Sequence, residues 1–396
     1  MCARAALSSP RHPPGWNGTA RPGAAVDERK ETRTSVVSLP LGPYHPSLSE
    51  PYALRLRLHG ERVIDATRPD CRYGYRGVRE LVIGQPVDDA LTLLERVCAH
   101  AGQGYRYALC IAIERATHAT IPRSAQLARV FFAELEMAQS ALWGLCELAR
   151  ALQRPALRAR GLEQRERLYA LAAEATGERV YWGVARPGGV REGIQFVAAQ
   201  QMLDTLREVV EVWRIAATPR GVLLRAARRV DDAQPADAPS LAHPAAQTDA
   251  RRETPYGGYR LLALDWSTLQ PGDKRTAEAP TVAAWAMRLE ARLKLSYDIM
   301  RVCAETLDET ALGHAQTPLV GGEGSVTVQT AHGPARLDVT LSDDQRVTRL
   351  EITTPCIETL AMTPDWLRGR RLSHVPALLA CLDLCPSCAE LARVSS

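Results

Sequence analysis

Three cysteines lie close together near the end of this 396-residue chain, in the stretch CLDLCPSCAELARVSS that begins at Cys381. Cys385 and Cys388 form a CxxC pair, whose spacing lets two thiolates bind one metal ion or react with each other. Zinc needs two further ligands, and because the sequence has no second CxxC, it does not predict a zinc ribbon. The alternative is that both thiols serve only as small buried hydrophobes.

Cys381 extends the pattern to CxxxCxxC, the spacing with which radical enzymes that use S-adenosylmethionine hold a four-iron cluster. In those enzymes the motif opens a barrel, whereas only eight residues follow it here. We therefore expect Cys381 to lie on the buried face of the last helix. Further metal ligands must come from elsewhere, and Cys98, in LLERVCAHAG at the C-terminal part of a predicted helix, is the candidate.

The elements that must position these cysteines follow from hydrophobic periodicity. Residues 37–70 contain two alternating segments joined at Gly60, which predicts a β-hairpin, and residues 71–229 show the spacing of packed helices. Residues 255–396 predict a long helix at 281–307, a β module at 325–355 and a short helix that leads to the CxxC pair. Residues 1–36 are predicted to be a disordered tail, and residues 230–254 a flexible loop.

The overall composition narrows the class of protein. A net charge of +4 with 24% charged residues gives no case for nucleic-acid binding. Ten cysteines in so long a chain, without an export signal, predict reduced thiols in the cytosol. The apolar runs are far shorter than the roughly 20 residues that a membrane-spanning helix needs. If the protein works at a membrane, we expect partners to hold it there.

Four motifs carry a family resemblance: GPYHPSLSEP, RGVRELVIGQPVDDAL, ERVCAHAG and the terminal CPSC. In this order, and collinearly over residues 40–391, they resemble the large subunit of energy-converting (group 4) [NiFe] hydrogenases and the 49 kDa quinone-site subunit of respiratory complex I. The resemblance implies an α+β, mainly α fold, a helical bundle with an N-terminal β-hairpin and a small C-terminal β module. It also implies that Cys98 meets Cys385 and Cys388 in a buried site.

The resemblance implies a [NiFe] centre held by two CxxC pairs, but this sequence departs from that pattern. Ala101 stands where the second cysteine of the early pair belongs, so the implied metal ligands are Cys98, Cys385 and Cys388. In the R-G-x-E motif, Arg76 is kept but Arg79 replaces the proton-relaying glutamate. The arginine that contacts the iron's cyanide is replaced by His332. Further departures in the same motifs are Tyr75, Leu384 and Leu391.

These departures predict an incomplete or lost nickel-iron centre and no hydrogen turnover, because a thiolate is missing and a cation stands on the proton path. Ordinary quinone reduction is also not predicted, since Ser49 replaces the quinone-site histidine and residues 92–101 contain no tyrosine. His45 either braces its turn or faces substrate, and Arg79 either meets a substrate anion or pairs with Glu134 or Glu136. His332 is expected to cap a hairpin turn.

The resemblance implies a subunit of a membrane-associated, complex-I-like oxidoreductase complex that couples electron transfer to ion translocation. The implied partners are a small iron–sulfur subunit carrying a [4Fe–4S] cluster, a 30 kDa-like subunit, and antiporter-like and quinone-channel-like membrane subunits. The implied location is the cytoplasmic side of the membrane, and ferredoxin, NADH or formate is the candidate donor. Two alternatives remain open: an enzyme subunit with a variant metal or quinone site, and a non-catalytic coupling subunit.

Overall fold

The computed structural model describes residues 36–192, 194–195, 198–233, 257–262, 264, 281–308, 312–313 and 321–392. The predicted tail lies outside these residues except for Val36, and so does the predicted loop from residue 234 onward. The first three residues of that loop, 230–232, are helical, because the preceding helix runs to Asp232.

The N-terminal sheet is antiparallel with three strands, β1 (Val36–Leu41), β2 (Leu54–His59) and β3 (Arg62–Ala66). β2 and β3 form the hairpin around Gly60, and the alternation of LRLRLH buries the three leucines of β2 on one face. β1, which pairs with β2 along its whole length, has no counterpart among the predicted elements.

Eleven α-helices lie within the described residues. Seven precede the gap at residue 234: α1 (Val78–Val82), α2 (Val87–Glu95), α3 (Gly102–Ala116), α4 (Arg123–Ala151), α5 (Pro155–Thr176), α6 (Ala199–Ala216) and α7 (Val222–Asp232). Four follow it: α8 (Val282–Thr306), α9 (Cys356–Leu367), α10 (Val375–Leu382) and α11 (Pro386–Leu391).

Helix α4 forms the centre of the bundle. Its 29 residues give it a length of about 44 Å at 1.5 Å per residue, and most of its side chains are buried. α5, α8 and α10 all pack against it, and the carboxylate of Asp231 in α7 accepts the first backbone N–H groups of α8, from Val282 and Ala283. This mainly α architecture with small antiparallel sheets confirms the predicted fold class.

The C-terminal β module packs on helix α3. It consists of β6 (Gly322–Thr330), β7 (Gly333–Leu341) and β8 (Val347–Thr353), and a two-residue hairpin, β4 (Ala185–Arg186) with β5 (Gly189–Val190), precedes it. A Cβ atom on Gly324 would lie 1.8 Å from the carbonyl oxygen of Ala112, so only glycine lets β6 approach α3 this closely. No helix in the described part of the chain is long and apolar enough to cross a bilayer.

Candidate metal centre

Cys98 lies in a tight turn between α2 and α3, not in a helix as predicted. The predicted single helix is interrupted at residues 96–101, and α3 starts again at Gly102. A Cβ atom on Gly102 would lie 2.1 Å from the carbonyl oxygen of Glu95, so glycine is required where the chain turns back. The turn leaves the Cys98 side chain buried, with its Sγ accepting the backbone N–H of His100 at 3.3 Å.

The two C-terminal cysteines lie at the start of α11. Cys385 is the residue before the helix, Pro386 fits its first turn, and the Cys385 Sγ accepts the backbone N–H of Cys388 at 3.3 Å. Cys385 and Cys388 are both buried. Cys381 is also buried, on α10, as predicted.

The ends of the chain converge on one buried cluster. The Sγ atoms of Cys98 and Cys385 lie 3.5 Å apart although 287 positions separate them, which confirms the predicted meeting. Donor atoms of Cys98, His332, Cys385 and Cys388 all lie within 4.8 Å of one another. These four residues form a cysteine–histidine cluster that can hold a metal ion.

His332 enters the cluster from the turn between β6 and β7. Its Nε2 lies 3.7 Å from the Cys98 Sγ, and its Nδ1 lies 3.0 Å from a carboxylate oxygen of Asp383. Burial alone would lower the pKa of His332, but Asp383 and Cys385 raise it well above its ordinary value. Asp383 itself adopts a left-handed backbone, with φ of +49°, in the turn before the CxxC pair.

Two further side chains contact the cluster, and neither was predicted from the sequence. Glu50 lies 3.4 Å from the Cys385 Sγ and accepts the backbone and hydroxyl protons of Ser387; burial raises its pKa. Cys356, the first residue of α9, lies against Cys385 and Cys388, and hydrogen bonds from these two thiols lower the pKa of Cys356. Burial raises the pKa of Cys388. Glu50 stands in the quoted GPYHPSLSEP motif, which was its only sequence signal.

Arg76 joins the two segments that carry the cysteines. Its Nη2 donates to the carbonyl oxygen of Val97, beside Cys98, at 2.6 Å, and its Nε lies 3.5 Å from Glu390, two residues after Cys388. One Glu390 oxygen also accepts the backbone N–H groups of Arg76 and Val78, at 3.0 and 2.9 Å. These contacts position the cluster, and the predicted catalytic role of Arg76 stays a prediction.

Arg79 and His45, the other predicted catalytic residues, do not belong to the cluster. Arg79 pairs with the adjacent Glu80 at 3.0 Å, so the expected pairing with Glu134 or Glu136 is wrong. His45 is exposed, and its Nδ1 accepts the backbone N–H of Ser47 at 3.1 Å, a contact that braces the turn.

His100 lies next to the cluster but packs as a core residue. Its ring stacks on Trp143 with centroids 5.6 Å apart, and burial lowers its pKa to about 4.

A cavity of about 330 Å³ adjoins the cluster at Cys98. Its lining includes Glu136, which accepts the backbone N–H groups of Gln103 and Gly104. Burial raises the pKa of Glu136 to about 8, although these two hydrogen bonds lower it. Arg165 also lines it, with its guanidinium over the rings of Trp143 and Tyr169 and its buried Nε unpaired among the described residues. One side of the cavity therefore presents a guanidinium and aromatic side chains.

The donor set does not fit a four-thiolate [NiFe] centre. Ala101, at the position of the fourth thiolate, is fully buried and offers only a methyl group. Within the part of the chain that is described, three thiols and one imidazole lie within 4.8 Å of one another, and Cys356 contacts two of these thiols without joining the set. Such a set suits one metal ion of tetrahedral preference better than a bridged metal pair.

Comparison with known proteins gives consistent relatives, although no family model matches the chain. It is 26% identical over 368 residues to an NADH-quinone oxidoreductase subunit of Dehalococcoides mccartyi, covering 89% of this chain and 97% of that protein. It is 24% identical over 377 residues to the carbon monoxide-induced hydrogenase of Rhodospirillum rubrum, covering 90% and 99%. A chain of the membrane-bound sulfane sulfur reductase, an archaeal respiratory complex, superposes with a TM-score of 0.77 at 20% identity, covering 91% of this chain and 100% of its own.

Proposed function

We propose that this chain belongs to the family that unites the large subunits of hydrogenases with the corresponding subunits of NADH-quinone oxidoreductases, and that it is a subunit of a complex-I-like membrane oxidoreductase. In this role it takes part in electron transfer that is coupled to ion translocation. The observation that carries the proposal is a similarity that runs along nearly the whole length of both this chain and its relatives.

The proposed partners are a small iron–sulfur subunit that carries a [4Fe–4S] cluster, a 30 kDa-like subunit, and antiporter-like and quinone-channel-like membrane subunits. The chain would lie on the cytoplasmic side of the membrane and be held there by these partners. The match to one chain of a multisubunit respiratory membrane complex supports such an assembly.

The proposed complex does not turn over hydrogen. The loss of a thiolate at Ala101, and a close donor set of three sulfurs and one nitrogen in place of two CxxC pairs, support this part of the proposal. Arg79, paired with Glu80, places a guanidinium at the motif position where the resemblance expects a proton-relaying carboxylate.

Purification from the native membrane tests the proposal. The chain carries a tag without histidine, is extracted in mild detergent, and is examined for co-purifying subunits, nickel and hydrogen uptake. We expect membrane and iron–sulfur subunits to co-purify, nickel far below one per chain, and no hydrogen uptake. Recovery of the chain alone from the soluble fraction would contradict the assembly, and stoichiometric nickel would contradict the loss of the centre.

The cavity beside Cys98 favours a second candidate, in which the subunit binds a quinone headgroup. Its volume is at the lower end of the range for small-molecule sites, and Arg165 and Trp182 offer a cation and an aromatic face to such a ring. In the purified complex, Arg165→Ala should raise the KM for a soluble quinone about tenfold. Arg167→Ala, an exposed arginine on the same helix, is the matched control. An unchanged KM in Arg165→Ala would exclude this candidate.

A further inference from the structure

The cysteine–histidine cluster has the dimensions of a tetrahedral metal site. With metal–sulfur bonds of about 2.3 Å, two thiolates on one tetrahedral ion lie about 3.8 Å apart. The Cys98 Sγ lies 3.5 Å from that of Cys385 and 3.7 Å from the His332 Nε2. All four donor atoms lie within 4.8 Å of one another, so small side-chain shifts bring every pair to the spacing of a tetrahedral ion.

The imidazole is oriented to bind a cation. The His332 Nδ1 lies 3.0 Å from the Asp383 carboxylate, so a proton held there leaves Nε2, which lies 3.7 Å from the Cys98 Sγ, to bind a metal that displaces the Nε2 proton. This carboxylate–histidine arrangement is the one that fixes imidazole ligands in zinc proteins. Asp383 is itself fixed by its left-handed backbone in the turn that precedes Cys385.

The thiols are oriented in the same way. Backbone N–H groups of His100 and Cys388 point at the sulfur atoms of Cys98 and Cys385, both at 3.3 Å. Such donors hold each side chain in place before a metal arrives.

From this geometry we propose that the cysteine–histidine cluster binds one Zn²⁺ ion as a closed, structural site. Three thiolates and one imidazole fill the four positions of a tetrahedral ion, and the Cys356 thiol beside Cys385 and Cys388 lies outside this set of donors. No position then remains for water or substrate, which distinguishes structural from catalytic zinc. The ion would tie the turn after α2 and the β6–β7 turn to the start of α11. The family resemblance implies three of these ligands, Cys98, Cys385 and Cys388, but not His332, which the sequence places only in a hairpin turn. The proposal rests on donor geometry and does not depend on the proposed function.

Metal analysis of the full-length chain in its purified complex tests the site. We expect one zinc per chain, and less than a tenth of that in Cys98→Ser, Cys388→Ser and His332→Ala. Cys381→Ser is the matched control, because Cys381 is equally buried and close in sequence but lies outside the cluster; it should keep its zinc. Zinc content that does not change in the three variants, stoichiometric nickel or iron in place of zinc, or no metal at all would each overturn the proposal.

A second measurement does not depend on the folding of a ligand variant. Asp383→Asn keeps all four donors but weakens the carboxylate that orients His332, so zinc affinity should fall about 10- to 100-fold in a competition titration with a chromophoric chelator. Replacing zinc with Co²⁺ in the wild-type complex should give the intense absorption bands of tetrahedral cobalt with thiolate ligands. Unaltered affinity in Asp383→Asn together with an octahedral cobalt spectrum would refute the site.

Discussion

Ala101 and His332 show how single residues change the chemistry of this pocket. One substitution leaves a buried methyl group where the family resemblance implies a thiolate, and the other places an imidazole 3.7 Å from the Cys98 thiol. The number of donors around the centre stays at four, but their kind changes from four sulfurs to three sulfurs and one nitrogen. Replacing one sulfur donor by nitrogen disfavours a soft, bridged metal pair and favours a single ion of intermediate softness such as zinc.

Glu136 should make the stability of the protein depend on pH. Burial raises its pKa from 4.5 to about 8, so between these values the folded chain holds a proton that the unfolded chain has released. The free energy of unfolding should therefore fall as pH rises, by up to about 1.4 kcal/mol per pH unit. In Glu136→Gln this part of the slope should disappear, as measured by denaturant titrations from pH 5 to 8.

The control for this measurement is Glu163→Gln, which changes an exposed carboxylate in a surface pair. It should keep the wild-type slope. Equal slopes in Glu136→Gln and the wild type would show that Glu136 is ionised in the folded protein.

At the scale of elements, Arg129 is the point where α3, α4 and the β4–β5 hairpin are joined. Its guanidinium donates to the carboxylate of Glu114, with one contact of 2.9 Å, and to the carbonyl oxygen of Gly189 at 2.8 Å. The side chains of Arg129 and Glu114 are almost fully buried. Glu114 also accepts the backbone N–H of Gly188 at 2.8 Å. Helix and hairpin are therefore held by one shared buried charge pair.

Removing one member of this pair should be strongly destabilising. Arg129→Met leaves the Glu114 carboxylate buried without its counterion, and we expect a loss of about 3–5 kcal/mol in the free energy of unfolding. Arg129→Met combined with Glu114→Met should recover part of the loss. The exposed pair of Glu211 and Arg214 provides the control, since Arg214→Met should cost less than about 1 kcal/mol. A similar small cost for Arg129→Met would show that the pair contributes little.

Most elements are predictable from local sequence patterns, and the exceptions have physical reasons. Period-3.6 spacing predicts α8 to within one residue at each end, and alternation predicts the β6–β8 module. The helix predicted through Cys98 fails because Val97, Cys98 and Ala101 are buried by tertiary contacts in a turn, where apolar residues imitate helical spacing. β1 is missed because only its last residue is buried, so it lacks an alternating pattern.

At the scale of the whole molecule, the contact of Glu390 with the segment around Arg76 closes the fold. Glu390 is 4% exposed, and 312 positions separate it from Val78, whose N–H it accepts. No local pattern encodes such a contact, which is why Glu50, Cys356 and Asp383 could not be assigned to the site from sequence. Only the family resemblance predicted that Cys98 and the terminal CxxC meet.

Loss of this closing contact should loosen the C-terminal helix. Glu390→Ala leaves the buried N–H of Val78 unpaired, at a cost of about 1–3 kcal/mol. We expect faster hydrogen exchange in both α11 and α1, measured by mass spectrometry on the full-length chain. Glu358→Ala, which removes a carboxylate from the first turn of α9, is a control that should leave exchange in α11 unchanged. If hydrogen exchange in α11 stays slow in Glu390→Ala, another contact holds the C-terminal helix in place.

The separation of Cys98 from Cys385 in the sequence also determines how long the ribosome takes to complete the cysteine–histidine cluster. At about 5–20 residues per second, a ribosome needs roughly 15–60 s to add the 287 positions between them. Throughout that interval the Cys98 thiol lacks its cysteine partners, and His332 is added only 53 positions before Cys385. The cysteine–histidine cluster can therefore form only when translation is nearly finished.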